Sequence, residues 1–275
     1  MSTRRNPSPA CLTGIAAWVA AAGLWPINPL FSAAALAAFV AACLAAPFFP
    51  QTGFFFPVVS KAKNRGKNAL PAIGLTFDDG PDPETTPALL ALLKSRQAPA
   101  TFFVTGQKAK QYPELIDAIL DQGHLIGNHT DHHDPTLMLK SRKKLEQEIA
   151  ATQAILERFG IRALAFRPPA GIVNPRLEPV LKAQGLFCLL YSCRGRDMGN
   201  RRIRGLSARI LGKAGPGDIV LLHDVKPNSG NFQTDAWLTE VERILTGLDE
   251  KGLGIRPVSE LIERPVMEIR EVEGS

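Results

Sequence analysis

Acidic residues are absent from the start of this 275-residue sequence until Asp78. The charged side chains before Asp78 are all basic: Arg4, Arg5, Lys61, Lys63, Arg65 and Lys67. They account for the formal net charge of +6, because the 26 acidic residues are matched by an equal number of basic residues from Asp78 onward. This balance gives no indication of the extended basic surface typical of nucleic-acid-binding proteins, so no nucleic acid is expected as a partner.

Cysteine is scarce, with four residues in the chain. Cys11 and Cys43 lie in apolar runs, whereas Cys188 and Cys193 are five positions apart on what we predict to be one strand. That separation is too long for a disulfide within an extended segment. Free thiols are therefore expected, which is compatible with a reducing compartment.

Charge of either sign is missing between Asn6 and Ser60, and Pro26 to Pro29 divides this stretch into two apolar runs. Leu30 to Phe49 has the roughly 20 residues that cross a bilayer core of about 30 Å, and Ala10 to Trp25 is slightly shorter. We predict that residues 1–60 are membrane-anchoring hydrophobic segments that form a two-helix hairpin.

A basic juxtamembrane linker, residues 61–70, follows the hairpin. Basic residues on both flanks favour the cytoplasmic side of the inner membrane for the domain that follows. A cleaved signal peptide after Arg4 and Arg5 is the alternative, but it would leave the second apolar run in place. Val40-Ala41-Ala42-Cys43 resembles a lipoprotein cleavage site, but it lies too far from the basic N-terminus for a lipoprotein signal peptide.

Residues 71–265 alternate short apolar runs with amphipathic helical patterns, which predicts one α/β domain, and residues 266–275 are predicted to be a C-terminal tail. Helical stripes run from Leu145 to Phe159 and from Trp237 to Leu248. The predicted strands are Ala72–Phe77, Ala100–Thr105, His124–Gly127, Ala163–Phe166, Leu186–Tyr191, Asp218–Leu222 and Ile255–Val258.

Five of these strands end directly before chemically reactive residues: Asp78-Asp79, Asn128-His129, Arg167, the segment from Ser192 to Asp197, and His223. In a parallel (β/α) barrel the active site is built at the carboxyl ends of the strands and the loops after them. This position predicts a common functional face independently of any family likeness.

Asp78-Asp79-Gly80-Pro81, taken alone, is better explained as a turn that closes a strand. The histidines add a stronger signal, since four of the five lie between His124 and His133. His129 and His133 are four positions apart and could reach one metal if their loop turns helically, with a carboxylate as third ligand. His132 could replace His133 on spacing alone, and His124 is interpreted as a core histidine.

Two later segments follow the same pattern. Arg167-Pro168-Pro169 could be a strand terminator with a surface arginine. The buried strand that ends in His223-Asp224 offers a candidate general acid, although an isolated histidine there would be weak evidence.

Together these segments resemble the ordered motifs of the polysaccharide deacetylases, the NodB homology domain of carbohydrate esterase family four, from about Ala72 to Asp224. The resemblance implies a distorted (β/α) barrel of that type. Thr76-Phe77-Asp78-Asp79-Gly80-Pro81 matches the first motif, and His129-Thr130-Asp131-His132-His133 matches a His-Ser/Thr-x-x-His pattern. The implied roles are Asp78 as catalytic base, Asp79, His129 and His133 as metal ligands, and His223 as general acid.

Two motifs are altered. Ala170 occupies a position where the family usually has an aromatic residue, but its backbone N–H can still serve as the oxyanion donor. After Tyr191, Asp197 is retained, whereas Met198 replaces the usual tryptophan and two arginines are added. We expect Asp197 to hold Arg167, which in turn orients Asp78.

The function implied by the resemblance is hydrolysis of a non-peptide carbon–nitrogen bond, removing acetyl groups from an N-acetylated amino sugar in a polysaccharide or glycolipid. The expected cofactor is a divalent metal, zinc first, with cobalt, nickel or manganese as alternatives. The expected partners are the carbohydrate or glycolipid substrate and the membrane. Two other functions stay open: a deformylase or O-deacetylase of a lipid-linked sugar, and a non-catalytic carbohydrate-binding relative, which would need neither base nor acid.

Overall fold

The computed structural model describes residues 7–62, 71–228 and 231–270. The strands are β1 Ala72–Asp78, β2 Ala100–Val104, β3 Leu125–Asn128, β4 Ile161–Ala163, β5 Ala165–Phe166, β6 Phe187–Cys188, β7 Cys193–Arg194, β8 Ile219–His223, β9 Gly254–Ile255 and β10 Met267–Ile269. The helices are α1 Pro9–Leu24, α2 Pro29–Ala45, α3 Thr86–Ser95, α4 Gly106–Gln111, α5 Pro113–Asp121, α6 Arg142–Glu157, α7 Leu177–Ala183, α8 Leu206–Leu211, α9 Thr234–Glu250 and α10 Val258–Leu261.

The central sheet has the strand order β6-β5-β3-β2-β1-β8-β7, and its neighbouring strands are parallel. Strand β9 adds to the start of β1. The predicted barrel is therefore a half-barrel that stays open between its edge strands, β6 and β7. Because the paired strands are parallel, their carboxyl ends meet at one edge, as the sequence predicted.

The two predicted helical stripes are confirmed as the buried faces of α6 and α9, whose larger side chains Leu145, Ile149, Leu156, Trp237 and Ile244 are fully buried. They pack in one hydrophobic core with the sheet. Two strand predictions need correction. Val258 begins α10 after a proline instead of ending a strand. Cys188 and Cys193 lie on two different strands, and both are free thiols.

The N-terminal region forms two packed helices, α1 and α2, joined at Trp25 to Asn28. The Asn28 side chain caps α2 by accepting a hydrogen bond from the Leu30 N–H. Helix α2 with the turn after it, Pro29–Phe48, is long and apolar enough to cross a membrane, whereas α1 has 16 residues and a length of about 24 Å. By length, therefore, one of the two predicted spans is supported.

Residues 54–62, here called the strap, attach this helical hairpin to the half-barrel. The Val59 N–H donates to the Cys188 carbonyl at 3.0 Å, and the Leu190 N–H donates to the Val59 carbonyl at 2.7 Å. On the far side of the sheet opening, the Ala62 N–H donates to the Gly217 carbonyl, while Phe56 is buried in the core. The strap thus lies across the opening, from the end of β6 to the start of β8.

Two predicted boundaries are therefore wrong. The hydrophobic anchor does not run to residue 60, because the strap packs as part of the α/β domain. The tail predicted from residue 266 contains β10, which pairs antiparallel with β4. Residues 63–70 of the predicted linker, residues 271–275 of the tail, and Arg4 and Arg5 lie outside the described residues.

Candidate active site

The predicted reactive residues converge at the carboxyl edge of the half-barrel. Asp78 ends β1 and lies beside His223, which ends β8, in the strand register. His129 follows β3 and Arg167 follows β5, and each donates its backbone N–H to the neighbouring strand end. The edge of the sheet therefore brings together residues that are up to 145 positions apart in the sequence.

Both carboxylates of the first motif point into this site because the backbone turns between them. Successive side chains of a strand normally point to opposite faces. Asp79 adopts a left-handed conformation with φ 72°, which ends the strand and redirects its carboxylate. The Lys108 ammonium donates to the Asp79 carbonyl at 2.8 Å and holds this turn in place.

Asp79, His129 and His133 offer ligand atoms that all lie within 4.8 Å of one another. Asp79 Oδ1 is 3.3 Å from His129 Nε2 and 3.1 Å from His133 Nε2. Oδ1 is buried, yet it accepts no hydrogen bond from the described part of the chain. An orphaned carboxylate oxygen between two imidazoles is chemically suited to a divalent metal such as zinc.

The His129 ring is held in the orientation that a ligand needs. Its Nδ1–H donates to the Arg167 carbonyl at 2.7 Å, which leaves the Nε2 lone pair facing Asp79. Such a hydrogen bond on the second nitrogen typically orients a metal-binding histidine. Burial lowers the pKa of His129, but the neighbouring charges of Asp78 and Asp79 outweigh it and raise the pKa overall. Burial and the positive charge of the neighbouring His129 lower the pKa of His133.

The loop does not turn helically between the two histidines, as the spacing argument had required. Instead Thr130 and His133 adopt left-handed conformations with φ 69° and 51°, and the two rings lie 4.8 Å apart. The His132 ring faces away, with Nδ1 3.1 Å from the buried Glu148 carboxylate of α6. The geometry therefore groups His133, not His132, with the other two candidate ligands.

Arg167 is fully buried and holds Asp78. Its Nη1 donates to Asp78 Oδ1 at 2.6 Å and to the Thr76 hydroxyl at 2.8 Å. Its Nε and Nη2 donate to the carbonyls of Leu189 and Leu190. The other carboxylate oxygen of Asp78 is left free of the arginine, 3.8 Å from His129 Nε2.

Asp197 is buried in the site, but the predicted contact with Arg167 is wrong. Its Oδ2 accepts a hydrogen bond from His223 Nδ1 at 2.8 Å. The reason is the path of the loop after β7, which crosses towards the end of β8 and is tied there by Asn200, whose amide donates to the carbonyls of His223 and Val225. Among the described residues the ion-pair partner of Asp197 is His223 and not an arginine.

This pairing changes the charge of His223. Burial lowers the pKa of His223, but the Asp197 carboxylate, by charge and by hydrogen bond, raises it to about 9. The imidazole is therefore protonated at neutral pH. A protonated histidine that faces Asp79 and Asp78 is suited to give a proton to a leaving group.

Ala170 is exposed beside this cluster and has φ 58°. Left-handed backbone in residues other than glycine is uncommon and tends to gather at functional sites. Asp79, Thr130, His133, Ala170, Arg196, Met198 and Asn200 all have it, and all lie on the loops of this edge. Sequence reasoning did not identify the positioning roles of Asn200, Thr76 and Lys108, because their contacts are made across the sheet.

Comparison with known proteins gives a consistent result. A family model described as polysaccharide deacetylase matches residues 65–188. The chain is 36% identical over 192 residues to a peptidoglycan-N-acetylglucosamine deacetylase of Bacillus cereus, covering 69% of this chain and 87% of that protein. It is 35% identical over 198 residues to a chitooligosaccharide deacetylase of Azorhizobium caulinodans, covering 68% and 92%. The peptidoglycan deacetylase PdaC of Bacillus subtilis superposes with a TM-score of 0.62 at 33% identity, covering 70% of this chain and 91% of that chain.

Proposed function

This chain belongs to the polysaccharide deacetylase family, and on that premise we propose that it hydrolyses the N-acetyl group of an amino sugar with the help of a divalent metal. The observation that carries the proposal is the convergence of a carboxylate pair, two histidines and a third histidine that is paired with Asp197 at one edge of the sheet. Relatives named as N-acetylglucosamine and chitooligosaccharide deacetylases support the N-acetyl amide as the bond cleaved.

The residues divide into those that hold the metal and those that move protons. Asp79, His129 and His133 would hold the metal, whose charge lowers the pKa of a nearby water and stabilises negative charge on oxygen. Asp78 would accept the proton of the attacking water at Oδ2, since Arg167 occupies Oδ1. The Ala170 backbone N–H would stabilise the oxyanion; one such donor typically contributes about 10² to 10³ in rate.

His223 would then protonate the amine as it leaves. The hydrogen bond from Nδ1 to Asp197 fixes the ring so that Nε2 carries the second proton of the imidazolium. Arg167 acts through Asp78 and Asp197 acts through His223, so both are positioning residues. The two ion pairs share no member, because Asp78 is paired with Arg167 and Asp197 with His223.

Acetate release tests the proposal. The full-length protein in detergent, loaded with zinc, should release acetate from N-acetylated chitooligosaccharides or peptidoglycan fragments. Asp78→Asn should retain the metal and lose turnover, whereas the exposed Asp121→Asn, at the end of α5, should keep both. Formate release from an N-formylated sugar, or acetate release from O-acetylated but not N-acetylated sugars, would favour the alternative substrates. Metal binding without any turnover would favour a binding role.

We propose further that the hairpin anchors the protein in the inner membrane with the domain in the cytoplasm. Support comes from the absence of charge over residues 7–60 and from exposed apolar side chains on both helices, including Trp18, Val19, Leu30 and Leu44. Helix α1 would dip into the bilayer beside α2, since it is short of a full span. An alkaline phosphatase fusion after residue 62 should be inactive, and an active fusion would reverse the orientation.

A further inference from the structure

A cavity of about 650 Å³ lies between the base of the hairpin and the loops of the candidate active site. This volume is in the range of small-molecule binding sites. One wall comes from Phe48, Phe49 and Pro50, at the end of the membrane-length segment Pro29–Phe48. The opposite wall comes from the site loops and includes Ala170, Tyr191, Arg194 and Arg196.

The hairpin wall of the cavity is fixed to the domain. The strap bonds to both sides of the sheet opening, and Lys61, which also lines the cavity, is paired with Asp218 at 2.8 Å. The Val173 N–H reaches the Pro47 carbonyl at 3.5 Å. The cavity is therefore a feature of the folded domain and not a gap between two independent bodies.

The loop wall carries two arginines whose charge is not neutralised by any described carboxylate. Arg194 and Arg196 are exposed, and neither forms an ion pair within the residues that the structure describes. Asp197 is the one acidic residue between Arg194 and Arg204, and it is paired with His223. The balanced charge of the domain therefore hides a local excess of arginine beside the site, which composition alone did not predict.

The arginine loop is held in one conformation. The guanidinium of Arg209 donates to the carbonyls of Gly195, Arg202 and Arg204 at 2.6 to 2.7 Å. The Tyr191 hydroxyl accepts a hydrogen bond from Arg194 Nη1 at 3.1 Å, which positions that side chain on the cavity. Two arginines presented in this way are suited to bind the oxygens of a phosphate.

The cavity therefore has an apolar edge and a cationic edge. Phe48 and Phe49 are 67% and 55% exposed at the end of the uncharged hairpin. The cationic edge continues into the candidate active site, because Arg196 precedes Asp197 and Ala170 lines both. The Arg167 guanidinium, which holds Asp78, lies 5.6 Å from the Tyr191 ring.

We propose that the cavity binds a membrane glycolipid in which an N-acetylated amino sugar is joined to its lipid chain through phosphate. Arg194 and Arg196 bind the phosphate, Phe48 and Phe49 contact the start of the lipid chain, and the sugar extends to the metal-binding residues. This inference rests on the proposed deacetylation and names its substrate class. It explains in physical terms why the site lies next to the membrane-length helix.

The test compares two substrates with the full-length, zinc-loaded protein: N-acetylglucosamine linked through diphosphate to a polyprenol, and N-acetylchitotetraose. Arg194→Gln combined with Arg196→Gln should lower kcat/KM for the lipid-linked sugar about ten- to a hundred-fold more than for the oligosaccharide, since hydrogen bonds to charged groups are lost only with the former. Phe48→Ser combined with Phe49→Ser should also lower kcat/KM for the lipid-linked sugar more than kcat/KM for the oligosaccharide. Arg204→Gln is the matched control, being exposed in the same loop but outside the cavity, and should leave both values unchanged.

Equal losses on both substrates would overturn the inference and leave the deacetylase proposal intact, as would acetate release from the oligosaccharide alone. Acetate release from neither substrate would overturn both. The arginines could instead contact anionic headgroups of the bilayer. In that case Arg204→Gln would weaken sedimentation with phosphatidylglycerol vesicles as much as the Arg194→Gln, Arg196→Gln double variant does. Turnover of the lipid-linked sugar in neutral detergent would be unaffected in both variants, and this result would also overturn the inference.

Discussion

Replacing Asp197 with asparagine should change the pH dependence of catalysis more than its maximum. The Asp197 carboxylate is buried and accepts a hydrogen bond from His223 Nδ1 at 2.8 Å. Asparagine has nearly the same shape and can still accept that bond through its amide oxygen. The substitution therefore removes a charge while it preserves the packing.

The magnitude follows from the two pKa values of His223. In the protein its pKa is raised to about 9 from the ordinary 6.5. Burial is the largest influence and lowers the pKa, and Asp197 is the first of the influences that raise it, ahead of Asp79 and Asp78. Loss of the Asp197 charge should therefore bring the pKa back towards 6.5. The difference corresponds to about 3.4 kcal/mol, at about 1.36 kcal/mol for each pH unit.

The consequence for a general acid is direct. At pH 7.5 a histidine with a pKa of about 9 is about 97% protonated, whereas one with a pKa of about 6.5 is about 9% protonated. We therefore expect kcat/KM of Asp197→Asn to fall about ten-fold at pH 7.5 and only slightly at pH 6. The alkaline limb of the pH profile should move from about 9 to about 6.5.

The assay is acetate release from chitooligosaccharides between pH 5.5 and 10, with zinc content measured on every variant. Asp121→Asn provides the control for a carboxylate remote from the site. His223→Gln and the double variant complete a cycle, and the double variant should be no slower than His223→Gln if the two side chains act as a unit. An alkaline limb that stays near 9 in Asp197→Asn, or a loss that is equal at every pH, would refute the reasoning.

Three further predictions concern the metal, the buried arginine and the buried carboxylate after β8. Asp79→Ala and His133→Ala should each lose bound zinc by elemental analysis, while His132→Ala should retain it; equal retention in all three would contradict the assignment. Arg167→Met should lower the free energy of unfolding by about 3–5 kcal/mol in urea titration, because it leaves a buried carboxylate unpaired, and a loss below about 1 kcal/mol would contradict this. Burial raises the pKa of Asp224 from 3.8 to about 6, so the carboxyl group ionises at lower pH in the unfolded state than in the folded state. The free energy of unfolding should therefore fall by about 3 kcal/mol as pH rises from 4 to above 6. Asp224→Asn should remove that part of the pH dependence, and an unchanged dependence of the free energy of unfolding on pH would contradict this.

The sequence predicted the parallel α/β arrangement and the functional edge well, because both depend on local patterns. Each apolar run that ends in a reactive residue is a strand within a few positions, and the stripes of α6 and α9 identify their buried faces. The ligand set was predicted by family resemblance, since spacing left His132 and His133 equivalent. What separated them was the left-handed backbone at Thr130, which no periodicity predicts.

The partner of Asp197 could not be predicted from the sequence for a similar reason. Arg196, Met198 and Asn200 all have positive φ, so the loop follows no regular period between β7 and α8. Its route is set by tertiary hydrogen bonds, in particular those of the Asn200 amide with the end of β8. Resemblance identified Asp197 as a site residue, but its pairing with His223 depends on the folded path of the loop.

The strap is the other feature that sequence reasoning missed, because residues 54–60 were predicted to belong to the hydrophobic anchor and residues 61–62 to the basic linker. Phe56 is 3% exposed in the domain core, and replacing such a phenylalanine with alanine typically costs about 3–5 kcal/mol. A soluble fragment that begins at residue 54 should therefore unfold at least about 6 °C above one that begins at residue 71, given about 2–4 °C for each kcal/mol in a domain of this size. Differential scanning calorimetry measures the difference, and Phe56→Ala in the longer fragment should remove much of it. Equal melting temperatures for the two fragments would mean that the strap only rests on the half-barrel, and the cavity wall that it carries would then be free to move with the membrane helices.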